Sequence, residues 1–163
     1  MLLLPLPGAE SLAAPLAPLL GATTAPPEYR RFPDGESYWR IACEVDGDDA
    51  VVLAALRDPD AQAMGLLYVA DTLRELGARR IVLAAPYLPY MRQDARFRPG
   101  EAITSRSFRR FVSQAFDGVL TVDLDAVVAN WRQLERRGVP AECAGVVKAN
   151  AYGHGLVPVA LHL

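Results

Sequence analysis

A chain of 163 residues is long enough for one domain, or for one domain and the beginning of a second. Hydrophobic residues make up 52% and charged residues 22%, enough apolar material to bury a core. A net charge of −2 gives no basic footprint for a nucleic acid and no attraction to an anionic membrane.

The chain opens on LLLPLPG. This run has no basic flank, is broken by proline after three leucines, and is too short to span a bilayer or to serve as a secretion signal, so it reads as a first strand. Glu10–Leu20 is expected to be a short helix capped by Ser11, weakened by Pro15 and Pro18. Gly21–Pro27 reads as a loop. Glu28–Phe32 can be extended, Pro33-Asp34-Gly35 has turn chemistry, and Ser37–Ala42 alternates, with Tyr38, Arg40 and Ala42 facing away from Trp39 and Ile41. Ala50–Leu56 is an apolar run of the kind found in strands buried on both faces. Asp60 is expected to cap a helix over Ala61–Leu76, with Met64, Leu67, Leu73 and Leu76 on its apolar face and Gly77 ending it.

Ile81–Ala85 is a second fully apolar strand, followed by a long loop, Pro86–Gly100, and a helix from Thr104 to about Ala115. Val119–Val122 is a β-branched strand. It hands over to a helix, Asp125–Arg137, with Val127, Val128, Trp131 and Leu134 on one face. Ala144–Val147 is one more strand, and Leu156–Leu163 begins another helix. Strand and helix alternate from Ala50 onward, which predicts an α/β fold of three layers, helix–sheet–helix, around a mostly parallel sheet. Cys43 and Cys143 stand a hundred residues apart without a CxxC pair or clustered histidines, so they read as two buried thiols in a reducing cytosol rather than a zinc site or a disulfide. His154 and His162 carry little, being in a turn and in the tail.

Two stretches carry chemistry. The loop Pro86–Gly100 leaves the carboxyl end of a strand, where open parallel sheets bind ligands, and holds Arg92, Gln93, Asp94, Arg96 and Arg98. Guanidinium forks suit phosphate oxygens and Gln93 suits a base or sugar, although the same pattern also describes a solvated charge cluster. The second stretch is Lys148, at the end of an apolar strand. There partial desolvation lowers an amine's pKa and frees it for a Schiff base, whereas a lysine simply turning into solvent has the same sequence.

RRFPDGESYWRI (Arg30–Ile41) and APYLPYMRQDARFRPGEAITSR (Ala85–Arg106) resemble ribose-phosphate pyrophosphokinase, which makes phosphoribosyl pyrophosphate from ATP and ribose 5-phosphate. The likeness runs from about Leu3 to Asp123 and implies a phosphoribosyltransferase-like sheet. It implies that Phe32, Asp34, Gly35 and Glu36 form a loop reaching a nucleotide held mainly by a neighbouring subunit, and that Arg92 and Gln93 contact the ATP. Assembly into a homo-oligomer stays open. That family's histidine for magnesium is replaced here by Asp125, which can ligate a hard cation or merely cap its helix, the cap being the favoured reading. Its second domain, with the ribose-phosphate loop, has no counterpart before Leu163.

VDLDAVVANWRQLERRGVPAECAGVVKANAYGHG resembles the start of alanine racemase. This likeness implies that Lys148 binds pyridoxal phosphate as a catalytic base and that Tyr152 touches the cofactor phosphate. The remaining barrel strands that would enclose such a cofactor have no counterpart here.

The expectation is therefore a cytoplasmic chimera. Residues 1–123 form a pyrophosphokinase-like domain and residues 124–163 a racemase-like fragment, extending the same sheet by one βα unit of barrel origin. ATP with magnesium and pyridoxal phosphate are implied by the two likenesses, neither in a complete site, and complete turnover of either kind is not expected. The partners are small phosphorylated ligands, with no nucleic acid and no membrane. The alternatives are a nucleotide- or phosphate-binding module, or a subunit completed in trans as a ribose-phosphate diphosphokinase.

Overall fold

The structure is a computed structural model that describes residues 1–121. Three apolar runs form the centre of the sheet: β1 (Leu2–Pro5), β5 (Asp49–Leu53) and β6 (Arg80–Ala84). None of the three has a polar face, so each must be covered on both sides. Leu3, Leu4, Val52 and Leu83 are each at most 1% exposed. The short strands β2 (Thr23–Thr24) and β7 (Gly118–Leu120) close the edges, giving the order β2-β1-β5-β6-β7. Every pairing in this sheet is parallel. A separate antiparallel pair, β3 (Glu28–Arg31) with β4 (Ser37–Arg40), forms a two-stranded sheet.

The connections are helices. α1 (Glu10–Leu20) leads from β1 to β2, α2 (Pro59–Glu75) from β5 to β6, and α3 (Thr104–Ala115) from β6 to β7. The α1 crossover moves along the sheet in the opposite direction to the α2 crossover. Because such crossovers are right-handed, the two helices cover opposite faces. Ala9 and Ala13, at and within the start of α1, bury against Leu3 and Leu53 on one face. Residues Met1–Pro86 and Arg110–Leu120 make one compact unit, and Tyr87–Arg109 falls outside it.

Several local expectations are corrected. Ser11 is not the cap of α1; the helix starts after Ala9 without a side-chain cap, and the Glu10 carboxylate instead accepts the Gly8 N–H at 2.9 Å. Both prolines sit inside α1 and are exposed, so their rings meet solvent rather than the sheet. The loop expected over 21–27 contains β2, which exists because Thr23 donates to Met1 O and Ala25 to Leu3 O on the neighbouring strand. The strand expected over 50–56 begins at Asp49 and stops at Leu53; the Ala54 N–H still donates to Ala84 O at 2.9 Å, and Leu56 stays buried beyond the strand's end. The cap position of α2 is Asp58, followed by Pro59 in the first turn, while Asp60 lies inside that turn, where its charge still complements the helix dipole.

The buried stripe of α2 is Gly65, Leu66, Val69, Ala70 and Leu73. Met64 and Leu76, expected inward, are 49% and 40% exposed. The stripe is not covered by one partner alone: Gly65 faces Trp39 of the hairpin, and the helix also meets β6. β7 starts one residue before the strand expected at 119 and ends at Leu120, leaving Thr121 out of it, while Val122 lies outside the described residues. Cys43 is half-buried rather than buried, and its thiol is free. Cys143, the helix over 125–137, the strand over 144–147 and the added βα unit also lie outside the described residues. Among the described residues no helix is long and apolar enough to cross a membrane.

Candidate functional site

The first candidate is the turn that joins β3 to β4. Register pairs Tyr29 with Trp39 and Arg30 with Tyr38, so alternate residues define two faces of the hairpin. The turn closes through Phe32 N–H to Glu36 O (2.8 Å) and Gly35 N–H to Phe32 O (3.0 Å). Gly35 has φ +95°, a left-handed value that an L side chain adopts only with strain. Asp34 Oδ1 accepts the Glu36 N–H at 3.1 Å, an aspartate turn of the usual local kind, and Arg31 Nε donates to Gly35 O at 3.2 Å. All five residues from 32 to 36 are exposed.

Phe32 does not hang free in solvent. The Arg30 guanidinium carbon lies 4.9 Å from the Phe32 ring centroid and 4.7 Å from that of Tyr38. One cation–π contact, worth about 0.5–1 kcal/mol at an exposed site, holds the Phe32 ring, and the second anchors the same guanidinium on Tyr38. Glu28, Tyr29, Arg30 and Tyr38 line an open cleft of about 320 Å³ beside it, and the Glu28–Arg40 ion pair (2.6 Å) closes the far end of the hairpin. The turn offers a flat aromatic surface, two carboxylates and a guanidinium within a few residues. That set suits a planar, polar ligand.

The second candidate lies within Tyr87–Arg109. Met91 is buried, and every residue from 92 to 100 is exposed. Gln93 is tied at three points: its N–H donates to Tyr90 O (3.4 Å), its carbonyl accepts the Ser105 N–H (3.3 Å), and its side-chain Oε1 is 3.2 Å from the Thr104 hydroxyl. The Thr104 hydroxyl also lies 3.3 Å from Tyr90 O, so its single proton serves one acceptor or the other. The rings of Tyr90 and Phe108 meet at 5.0 Å. Further along, Glu101 Oε2 accepts the N–H groups of Phe97 (3.1 Å) and Arg98 (2.9 Å), while Arg96 Nε donates to Glu101 O (3.0 Å). The loop is thus folded on its own polar groups.

The structure brings Phe32, Asp34, Gly35 and Glu36 together in one turn and places Arg92 and Gln93 side by side in the exposed loop of the other unit. Asp125, Lys148 and Tyr152 lie outside the described residues. Among the described residues no three His, Cys, Asp or Glu side chains gather as a metal-holding group. Sequence reading missed the Arg30–Tyr38 support beneath Phe32. The two strand patterns hinted at it, but it depends on register, which the turn sets. It also missed Glu101, whose backbone-holding role leaves no periodic signal.

At the opposite, amino-terminal ends of the strands, the Arg79 side chain donates to Asp49 at 2.8 Å. This hydrogen bond holds the Asp49 carboxyl below the usual carboxylate range and raises the Arg79 guanidinium in turn. The pair ties the start of β5 to the residue that precedes β6.

Comparison with known proteins bears on both halves of the chain. The N-terminal domain family of ribose phosphate pyrophosphokinase matches residues 1–115, and the N-terminal domain of alanine racemase matches residues 122–163. Ribose-phosphate pyrophosphokinase from Methanopyrus kandleri is 41% identical over 109 residues, covering 67% of this chain and 38% of that protein. The protein of the same name from Methanothermobacter thermautotrophicus is 39% identical over 116 residues, covering 71% of this chain and 41% of the relative. The chain therefore spans about two fifths of the length of these curated relatives. The crystal structure of phosphoribosylpyrophosphate synthetase from Mycobacterium smegmatis superposes with a TM-score of 0.70 at 25% identity, covering 84% of this chain and 53% of that one. The parallel sheet, its flanking helices and the match over residues 1–115 agree, and the chain belongs to the family of the ribose phosphate pyrophosphokinase N-terminal domain.

Proposed function

We propose that residues 1–121 act as the nucleotide-side half of a ribose-phosphate pyrophosphokinase site. Phe32 stacks on a base and Asp34 and Glu36 take polar groups of that nucleotide, while Arg92 and Gln93, argued separately, contact ATP. In this reading the 32–36 turn serves a nucleotide seated mainly on a neighbouring copy, and a cytoplasmic setting goes with it. The observation that carries it is the exposed turn with Phe32 already held on Arg30, within a stretch that matches the family. ATP would supply the group to be transferred and would bring its own magnesium. Transfer depends on positioning and charge stabilisation around both donor and acceptor, and the residues named here serve the donor only.

Calorimetric titration of ATP with magnesium into the 163-residue polypeptide tests this. Binding is expected, with Arg92→Ala weakening it about tenfold or more, the size of one lost charge-assisted contact. No binding at millimolar ATP would remove the reading.

The alanine racemase match over residues 122–163 supports a second element of the proposal, that the chain joins two enzymatic beginnings. Lys148 and Tyr152 would be the residues facing pyridoxal phosphate, which supplies an electron sink when bound in a closed pocket. Residues 122–163 taken by themselves supply one lysine and one tyrosine toward it, so little specific binding is expected from that segment alone. A stable visible absorbance band lost in Lys148→Ala would overturn that expectation. Turnover of ribose 5-phosphate or of alanine by these 163 residues would overturn the view that neither site is complete, unless a native mass measurement showed a partner completing it in trans.

A further inference from the structure

A glycine in the middle of a helix runs against local preference, and when it persists there is usually a packing reason. Gly65 lies in the middle of α2 and is buried. A Cβ built there would come 2.5 Å from Trp39 Cζ2, 3.0 Å from Cε2 and 3.3 Å from Cη2. The indole has little freedom to retreat. Its Nε1 donates to Ser37 Oγ at 3.0 Å, and its ring meets Tyr29 at a centroid distance of 4.6 Å.

The hairpin β3–β4 has no ladder to the five-stranded sheet, and a two-stranded hairpin alone is marginal in water. β4 contacts α2. Trp39 therefore pins the hairpin to the helix, and it does so three residues beyond Glu36, the end of the turn that carries Phe32.

We infer that Gly65 is a positioning residue: the space left by its missing side chain seats Trp39, and that seat fixes where the 32–36 turn is presented. The inference rests on the nucleotide reading for its consequence, though not for the seat itself.

The test compares the full chain, Gly65→Ala, and the size-exchanged pair Gly65→Ala with Trp39→Leu. Amide hydrogen exchange is followed in β3 and β4 against β1, β5 and β6, and ATP affinity is measured in parallel. In a Trp131→Phe background Trp39 is the sole tryptophan, so its emission and its quenching by acrylamide also report the seat. Gly65→Ala is expected to speed exchange in the hairpin while sparing the central strands, to shift Trp39 emission to longer wavelength, and to weaken ATP binding about tenfold through lost preorganisation. The exchanged pair is expected to recover hairpin protection and most of the affinity, which a general loss of stability would not do.

Unchanged hairpin exchange in Gly65→Ala would overturn the inference. So would a released hairpin with unchanged ATP affinity, or a size-exchanged pair that recovers neither. Should Gly65→Ala fail to fold, Trp39→Ala removes the indole from the seat altogether instead of crowding it and reads the same release. If the unaltered chain binds no ATP, the nucleotide reading falls, and the exchange comparison alone still decides whether Gly65 seats the hairpin.

Discussion

Removing the Asp117 carboxylate probes how the sheet closes at its β7 edge. Paired residues of β6 and β7 begin at Val82 and Gly118, so the Ile81 N–H, one residue earlier, has no strand carbonyl opposite it. Asp117 Oδ2 accepts that N–H at 2.7 Å, while the Asp117 N–H donates to Ile81 O at 2.8 Å. Ile81 is 1% exposed, so its N–H without the carboxylate would be a buried orphan donor. Leaving such a donor unpaired costs about 1–3 kcal/mol. Arg74 Nη2 stands 4.0 Å from the other carboxylate oxygen, but that pair is half exposed and adds about 0–1 kcal/mol. With the carboxylate itself 49% exposed, Asp117→Ala is expected to cost about 1.5–3 kcal/mol in all. Asp117→Asn keeps an acceptor and is expected to cost less than half as much. Urea unfolding followed by far-UV circular dichroism, with the slope held in common, reads both values. A loss under about 0.5 kcal/mol for the alanine variant, or equal losses for the two, would refute the role given to the carboxylate.

Two further substitutions address the amino-terminal end of the sheet. Gly77 has φ +87° and a Cβ there would lie 2.6 Å from Asp46 Oδ1, so Gly77→Ala is expected to lose about 2 kcal/mol, with a neutral result in urea unfolding counting against it. Asp49 is held below its ordinary range by the Arg79 hydrogen bond, so its contribution is complete above the unfolded carboxyl's pKa, near pH 4, and is lost as pH falls through the depressed folded value. The melting temperatures of the unaltered chain and Asp49→Asn should therefore differ by a constant amount from neutrality to about pH 4 and converge below it. A gap that persists to about pH 2 would show that the hydrogen bond does not depend on the charge.

The candidate site was legible where its chemistry is local. Pro33-Asp34-Gly35 marks the turn because the three residues set their own φ values and an aspartate bonds its own backbone. Gln93 was picked out by residue type, but its ties to Tyr90, Thr104 and Ser105 depend on how the loop folds back onto the start of α3. The same holds for Phe32, whose support comes from Arg30, two residues earlier, and from Tyr38 across the hairpin.

Local pattern alone determined the class of this fold. LLL, AVVL and IVLA are apolar on both faces, helical segments separate the later ones, and only a parallel sheet covered on each side satisfies both facts. What pattern could not choose was decided by neighbours. β2 is a strand only because β1 lies beside it, and α2 turns Leu66 and Val69 inward rather than Met64, a choice the apolar pattern leaves open because burial is non-directional. Gly65 and Asp117 likewise take their meaning from Trp39 and Ile81, partners that sit 26 and 36 residues away along the chain and within bonding or contact distance in space.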